Sequence, residues 1–103
     1  DVPSAEKAQY IGLDCEMVGV GPNGCRSALA WCCVVDWDGK IIFDKYVNPA
    51  ERVTDFRTFV SGVRAKDLIG GLSLRQCQIE IAAIMKEKYI VGHALQNDLK
   101  VQY

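Results

Sequence analysis

Apolar residues fall in short runs separated by turn formers, and the first run is broken by two acids. Tyr10-Ile11-Gly12-Leu13-Asp14-Cys15-Glu16-Met17-Val18 predicts a strand. Side chains alternate along a strand, so Asp14, Glu16 and Val18 share one face while Leu13, Cys15 and Met17 share the other. Gly19 to Gly24 is dense in turn residues and predicts a loop. Ala28 to Trp37 is almost wholly apolar, Asp38-Gly39 suits a two-residue hairpin turn, and Lys40 to Val47 returns as a third strand. These three strands form an antiparallel meander. Asn48-Pro49 ends it, and residues 51–71 predict loop with short helical pieces, closing at Gly70-Gly71.

Ser73 followed by Gln76 has the spacing of a capping box, with Leu72 placed to staple against Cys77. Leu74, Cys77, Ile81, Ile84 and Met85 recur at helical spacing, with Glu80, Lys86, Glu87 and Lys88 largely opposite. This predicts a helix packing one face on the sheet. Tyr89-Ile90-Val91-Gly92 suits a short strand, and Ala94 to Asn97 turns the chain into a helix beginning near Asp98. Three strands, a long helix, a strand and a helix start describe a mixed α/β chain with at least one crossover. Residues 1–8 are polar, contain Pro3, and read as a linker into a single domain over 9–103.

Composition narrows the field. Half of the 103 residues are hydrophobic, enough for one modest core. Twelve basic residues against 13 acidic ones give no overall field, so any phosphate binding must be local. No apolar run nears the roughly 20 residues of a membrane span, and no secretory signal opens the chain. The default is an intracellular protein, cytosolic or nuclear. Cys15, Cys25, Cys32, Cys33 and Cys77 are odd in number and lack CxxC spacing, which favours reduced, mostly buried thiols over a disulfide framework or zinc knuckle. The chain opens on Asp1 and ends on Tyr103, and reads as an excerpt or a truncated product.

Two elements carry candidate chemistry. Asp14 and Glu16 sit in a strand type that usually excludes charge, because burying an unpaired carboxylate is costly; either a cation compensates them or the strand leaves them solvated at an edge. Val91 to Lys100 runs from a strand through Gly92, His93 and a polar turn to Asp98 at a helix start. There Asp98 is a candidate ligand or a helix cap favoured by the dipole, and His93 alone is more often a hydrogen-bonded structural residue than a base. Neither element is specific alone.

Their order and a matching middle segment make them specific together. Leu13 to Pro22, then Val53-Thr54-Asp55-Phe56-Arg57-Thr58 with Val60-Ser61-Gly62-Val63, then Val91 to Lys100 resemble the motifs of the DEDD-type (DEDDh) 3′-to-5′ exonucleases. Within them the chain resembles the RNA exonuclease 4 and interferon-stimulated 20-kDa exonuclease group, over roughly residues 9–101. The resemblance implies an RNase H-like mixed sheet with flanking helices and hydrolysis of single-stranded RNA, or DNA, by two Mg²⁺ or Mn²⁺ ions. Carboxylate and water ligands suit those ions. It implies Asp14 bridging both ions, Glu16 on the water-activating ion and Asp98 on the other. It also implies substrate contacts from Met17 and Arg57. Met17 is otherwise core filler and Arg57 otherwise a surface ion pair with Asp55. A nuclear or nucleolar setting and ribosomal RNA processing are implied too.

Two positions depart from the group: Trp31 replaces a usual basic residue, and Gln96 a usual histidine. The third motif, with its general-base histidine and fourth carboxylate, does not occur in these residues, and His93 belongs to the second motif. The resemblance therefore implies an incomplete catalytic domain with its C-terminal part missing, inactive by itself. The alternative is a catalytically inactive nucleic-acid-binding or protein-interaction module that keeps the fold.

Overall fold

Strand β1 (Tyr10–Val20) is the axis of a five-stranded mixed sheet in the computed structural model, which describes residues 2–92. Strand β2 (Arg26–Val35) runs antiparallel along it, from the pair Gly12 and Val35 to the pair Val20 and Arg26. Strand β3 (Ile41–Tyr46) extends the meander on the far side of β2. The second edge of β1 is shared. Strand β4 (Val53–Asp55) pairs antiparallel with Gly19 and Val20, and β5 (Tyr89–Gly92) pairs parallel with Tyr10 to Leu13. A parallel pair needs a crossover, which contains the helix Leu74–Met85. Three one-turn helices, α1 (Ser4–Lys7), α2 (Thr58–Ser61) and α3 (Ala65–Leu68), precede it, so the long helix is α4.

Each face of the sheet has its own apolar cluster. Ile11, Leu13, Cys32 and Val34 pack with Cys77 and Ile81 of α4, and Cys15 and Met17 lie against that cluster. On the opposite face Val18 and Ala30 pack with Val63 and Leu68. The alternation expected along β1 is present. On β2 it is interrupted, because Glu16 pairs with Trp31 while Met17 pairs with Leu29, leaving Ala30 as the extra residue of a bulge. Ala30 and Trp31 consequently both join the second cluster.

Several boundaries differ from the sequence expectation. Strand β1 continues through Gly19 and Val20 because β4, hidden in the segment read as loop, pairs with them. Residues 36–40, not Asp38-Gly39 alone, connect β2 to β3: the Asp36 carboxylate accepts the backbone N–H groups of Asp38 and Lys40, each at 2.9 Å, which draws Trp37 into the turn. Residues 4–7, read as linker, form α1, and the Gln9 carbonyl accepts the Tyr89 N–H at 2.7 Å. Ser73 caps α4 as expected, its hydroxyl accepting the Gln76 N–H at 3.1 Å. The Gln76 side chain turns instead to Glu80, at 3.0 Å, so only half of the capping box forms.

The middle segment is held by its own polar side chains. The Thr54 hydroxyl donates to the Gly21 carbonyl at 2.6 Å, and that of Thr58 to the Val63 carbonyl at 2.7 Å. The Ser61 hydroxyl donates to the Phe56 carbonyl at 2.8 Å. Arg57 is left-handed, with φ of 51°, and its backbone N–H donates to the Asp55 carboxylate at 2.9 Å. Its guanidinium reaches across to the Ser27 hydroxyl and the Gly24 carbonyl, both at 2.9 Å. Gly24 has φ of +68°, and a Cβ there would fall 2.6 Å from Asp55 Cβ, so the turn after β1 admits only glycine.

Two stability measurements check this packing. Ile81→Ala removes a fully buried α4 side chain and should cost about 2–5 kcal/mol in urea unfolding, whereas Ile79→Ala, at a position 49% exposed, should cost less than about 1 kcal/mol. Arg57→Ala should cost about 1–3 kcal/mol in the absence of any ligand, because it strips donors from Ser27 and the Gly24 carbonyl. An unchanged midpoint for Arg57→Ala would mean that this bridge contributes nothing to the fold.

Candidate active site

Directly paired residues of neighbouring strands point to the same face, so register alone assembles the candidate site. Asp14 pairs with Cys33, which pairs with Asp44 on β3. Glu16 pairs with Trp31, which pairs with Tyr46. Asp14, Glu16 and Asp44 therefore share the face turned away from α4. Asp14 is exposed and Glu16 half-buried, while Cys15 between them packs toward the α4 cluster. Water already solvates Asp14, so burial does not itself demand a cation there.

The face is locally acidic. Burial pushes the Cys33 thiol up, and the negative charges of Asp44 and Asp14 on either side push it further. Trp31 answers part of this charge, its indole N–H donating to Asp44 at 2.7 Å. The indole at Trp31 thus fixes a neighbouring carboxylate on this face. Asp44 was legible as an outward residue of its strand because Phe43 beside it is buried, but nothing in its own surroundings in sequence marks it as part of the site.

The other expected site residues distribute unevenly. Met17 directs its side chain into the α4 cluster, on the opposite face from Asp14 and Glu16. The Arg57 guanidinium lies on Ser27 and Gly24 near the far end of β1, and the alternative of a side-chain ion pair with Asp55 does not form. Asp98, His93 and Gln96 lie outside the described residues. Gly92, the last described position of β5, pairs with Leu13, so β5 runs to the register position immediately before Asp14. Among the described residues no group of three or more His, Cys, Asp or Glu side chains is arranged to hold a metal ion. Asp14 and Glu16 supply two carboxylates on one face, hard oxygen donors that fit Mg²⁺ or Mn²⁺ and leave further positions to other ligands. Among the described residues no helix is long and apolar enough to cross a membrane.

No protein-family profile matches the chain. RNA exonuclease 4 of Mycosarcoma maydis is 53% identical over 102 residues, which are 97% of this chain and 27% of that protein. Human RNA exonuclease 4 is 52% identical over 93 residues, 90% of this chain and 22% of the relative. The chain thus spans about a quarter of these relatives. Among solved structures, the Neurospora crassa Pan2 catalytic unit, with its protease and nuclease domains, superposes with a TM-score of 0.79 at 22% identity, over 99% of this chain and 18% of that one. The Saccharomyces cerevisiae Pan2 exonuclease module in complex with AAUUAA RNA superposes with a TM-score of 0.76 at 22% identity, covering 91% of this chain and 19% of that one. The fold is that of the RNase H-like exonuclease domains, and the curated homologues of the chain are proteins named RNA exonuclease 4.

Proposed function

We propose that this sequence forms part of a 3′-to-5′ exoribonuclease that hydrolyses single-stranded RNA with two Mg²⁺ or Mn²⁺ ions. The observation that carries the reading is the pairing of Asp14 and Glu16 on one face of β1, with β5 running to the position beside Asp14. In this proposal Asp14 bridges the ions, Glu16 holds the one that activates water, and Asp98 holds the other. Asp98 lies six residues past Gly92, and an extended chain of that length reaches up to roughly 20 Å, ample to return to the carboxylate face. When bound, the pair of ions supplies a hydroxide-like nucleophile at neutral pH and neutralises the leaving 3′-oxygen.

The chain's own contribution is placement. The β1 backbone spaces the two carboxylates, and packing of Cys15 and Met17 against the α4 cluster fixes the strand beneath them. Because the Met17 side chain is occupied there, its proposed contact with the terminal nucleotide is through backbone. Arg57 holds the β4 to α2 turn through Ser27 and Gly24, and reaches a ribose or phosphate only with its remaining N–H donors. RNA is the preferred substrate because the relatives are named RNA exonucleases and Pan2 modules are solved with RNA. A nuclear or nucleolar setting and ribosomal RNA processing are proposed on the resemblance.

The test follows 3′-end shortening of labelled RNA by the full-length protein. Asp14→Asn should lower turnover at least about 100-fold, beyond the roughly 10- to 100-fold loss typical of residues that only orient a ligand, with an unchanged thermal midpoint. Near-wild-type turnover would remove Asp14 from the bridging role. Chelation with EDTA should abolish shortening, and added Mg²⁺ or Mn²⁺ should restore it. RNA binding without metal-dependent shortening would favour the inactive module instead. A protein limited to residues 1–103 should be slower than a version extended through a histidine and a fourth carboxylate by about 10²- to 10⁴-fold, the contribution of a positioned base.

A further inference from the structure

Directly behind the carboxylates, on the other face of β1, lies a group of thiols that the proposed chemistry does not use. Cys15, between Asp14 and Glu16, is paired with Cys32 across β1 and β2, and their sulfurs are 3.7 Å apart. Cys77 of α4 hydrogen-bonds to Cys32 from above. Cys32 and Cys77 are fully buried, whereas Cys15 is only half-buried. Cys33 faces the opposite side, beside Asp44 and Asp14, and Cys25 is exposed in the turn after β1.

We infer that Cys15 and Cys32 are an oxidisable dithiol, and that a disulfide between them slows the enzyme by displacing the strand that carries Asp14 and Glu16. Directly opposed strand residues have Cα atoms about 4.5–5.5 Å apart, inside the ~4.4–6.8 Å window of disulfides. The sulfurs must close from 3.7 Å to a bond of about 2.05 Å, a movement of roughly 1.7 Å shared between the two side chains and the backbone beneath them, with the register kept. The oxidant is a peroxide. The half-buried Cys15 thiol takes one oxygen from hydrogen peroxide to give a sulfenic acid and water. Cys32 sulfur then attacks Cys15 sulfur, the S–O bond breaks, and the hydroxyl leaves as water with the Cys32 proton. Two thiols and one peroxide become one disulfide and two waters. Closure pulls Cys15 toward β2 next to the bulge at Ala30, where the pairing is already irregular, and the flanking carboxylates move with it. Cys77 on Cys32 crowds the same sulfur but sits on α4, so a bond to it would shift a helix rather than a strand pair. The effect on rate rests on the proposed role of Asp14 and Glu16; the formation of the bond does not.

The experiment oxidises the full-length protein with hydrogen peroxide, blocks remaining thiols with N-ethylmaleimide in denaturant, and maps peptides without reductant. The expected product is a Cys15–Cys32 cross-link that dithiothreitol reverses. Cys77→Ala should retain it, and Cys32→Ala and Cys15→Ala should each remove it. In parallel, RNA shortening should fall at least about tenfold on oxidation, since a ~1 Å misplacement can cost about 100-fold, and should recover with dithiothreitol. Cys32→Ala should keep its rate through peroxide. Maleimide on both Cys15 and Cys32 after peroxide, or a cross-link only through Cys25 or Cys77, would overturn the dithiol. A Cys15–Cys32 bond that left the rate unchanged would overturn its coupling to the site. A protein inactive in every state would refute the exonuclease reading while the peptide map still decided the disulfide.

Discussion

Alternation of side chains along β1 is the constraint on which the rest of this structure depends. One face of the strand packs under α4, while the other packs at Val18 and opens to solvent at Asp14, so each successive residue answers to a different neighbourhood. Leu13, Cys15 and Met17 are committed to α4, and this leaves Asp14, Glu16 and Val18 to the other side. A shift of one residue in register would bury both carboxylates under α4 and expose the core. Pairing on both edges, with β2 along one and with β5 and β4 in turn along the other, opposes such a shift. Hydrophobic packing behind the acids thus sets the face on which they stand.

Much of this was legible because it depends on period. The alternation in β1, the apolar run of β2 and the helical spacing of Leu74, Cys77 and Ile81 each reported their structure directly. What escaped was decided by partners distant in sequence. Strand β4 is three residues long and mostly exposed, and only the Gly19 and Val20 edge makes it a strand. The β2 bulge leaves no mark in the run from Arg26 to Val35; it appears only when β1 is laid against it. For Arg57 the sequence offered a substrate contact or, alternatively, a side-chain contact with Asp55. In the fold the backbone N–H makes that contact, freeing the guanidinium for Ser27.

The candidate site shows the same division. Asp14 and Glu16 follow from one strand and could be paired by counting. Asp44 enters through two register relationships, Asp14 to Cys33 and Cys33 to Asp44, neither of which is written in any local pattern. Trp31 makes the point chemically: as a departure from related sequences it suggested a lost contact, yet its indole N–H secures Asp44 on the shared face. Resemblance singled out Asp14 and Glu16 as candidate ligands, whereas the fold shows which residues surround them.

The parallel pairing of β1 with β5 joins the first and last strands of the described chain, residues 10–13 with residues 89–92. Synthesis proceeds from the N-terminus, so the β1–β2–β3 meander can form as it emerges, but the outer edge of β1 at Tyr10 to Leu13 must wait for nearly eighty further residues. During that interval a strand with apolar neighbours presents unpaired N–H and C=O groups, a template for pairing with another nascent chain. The acids at Asp14 and Glu16 lie within that waiting strand, and like charges on two such chains oppose their stacking.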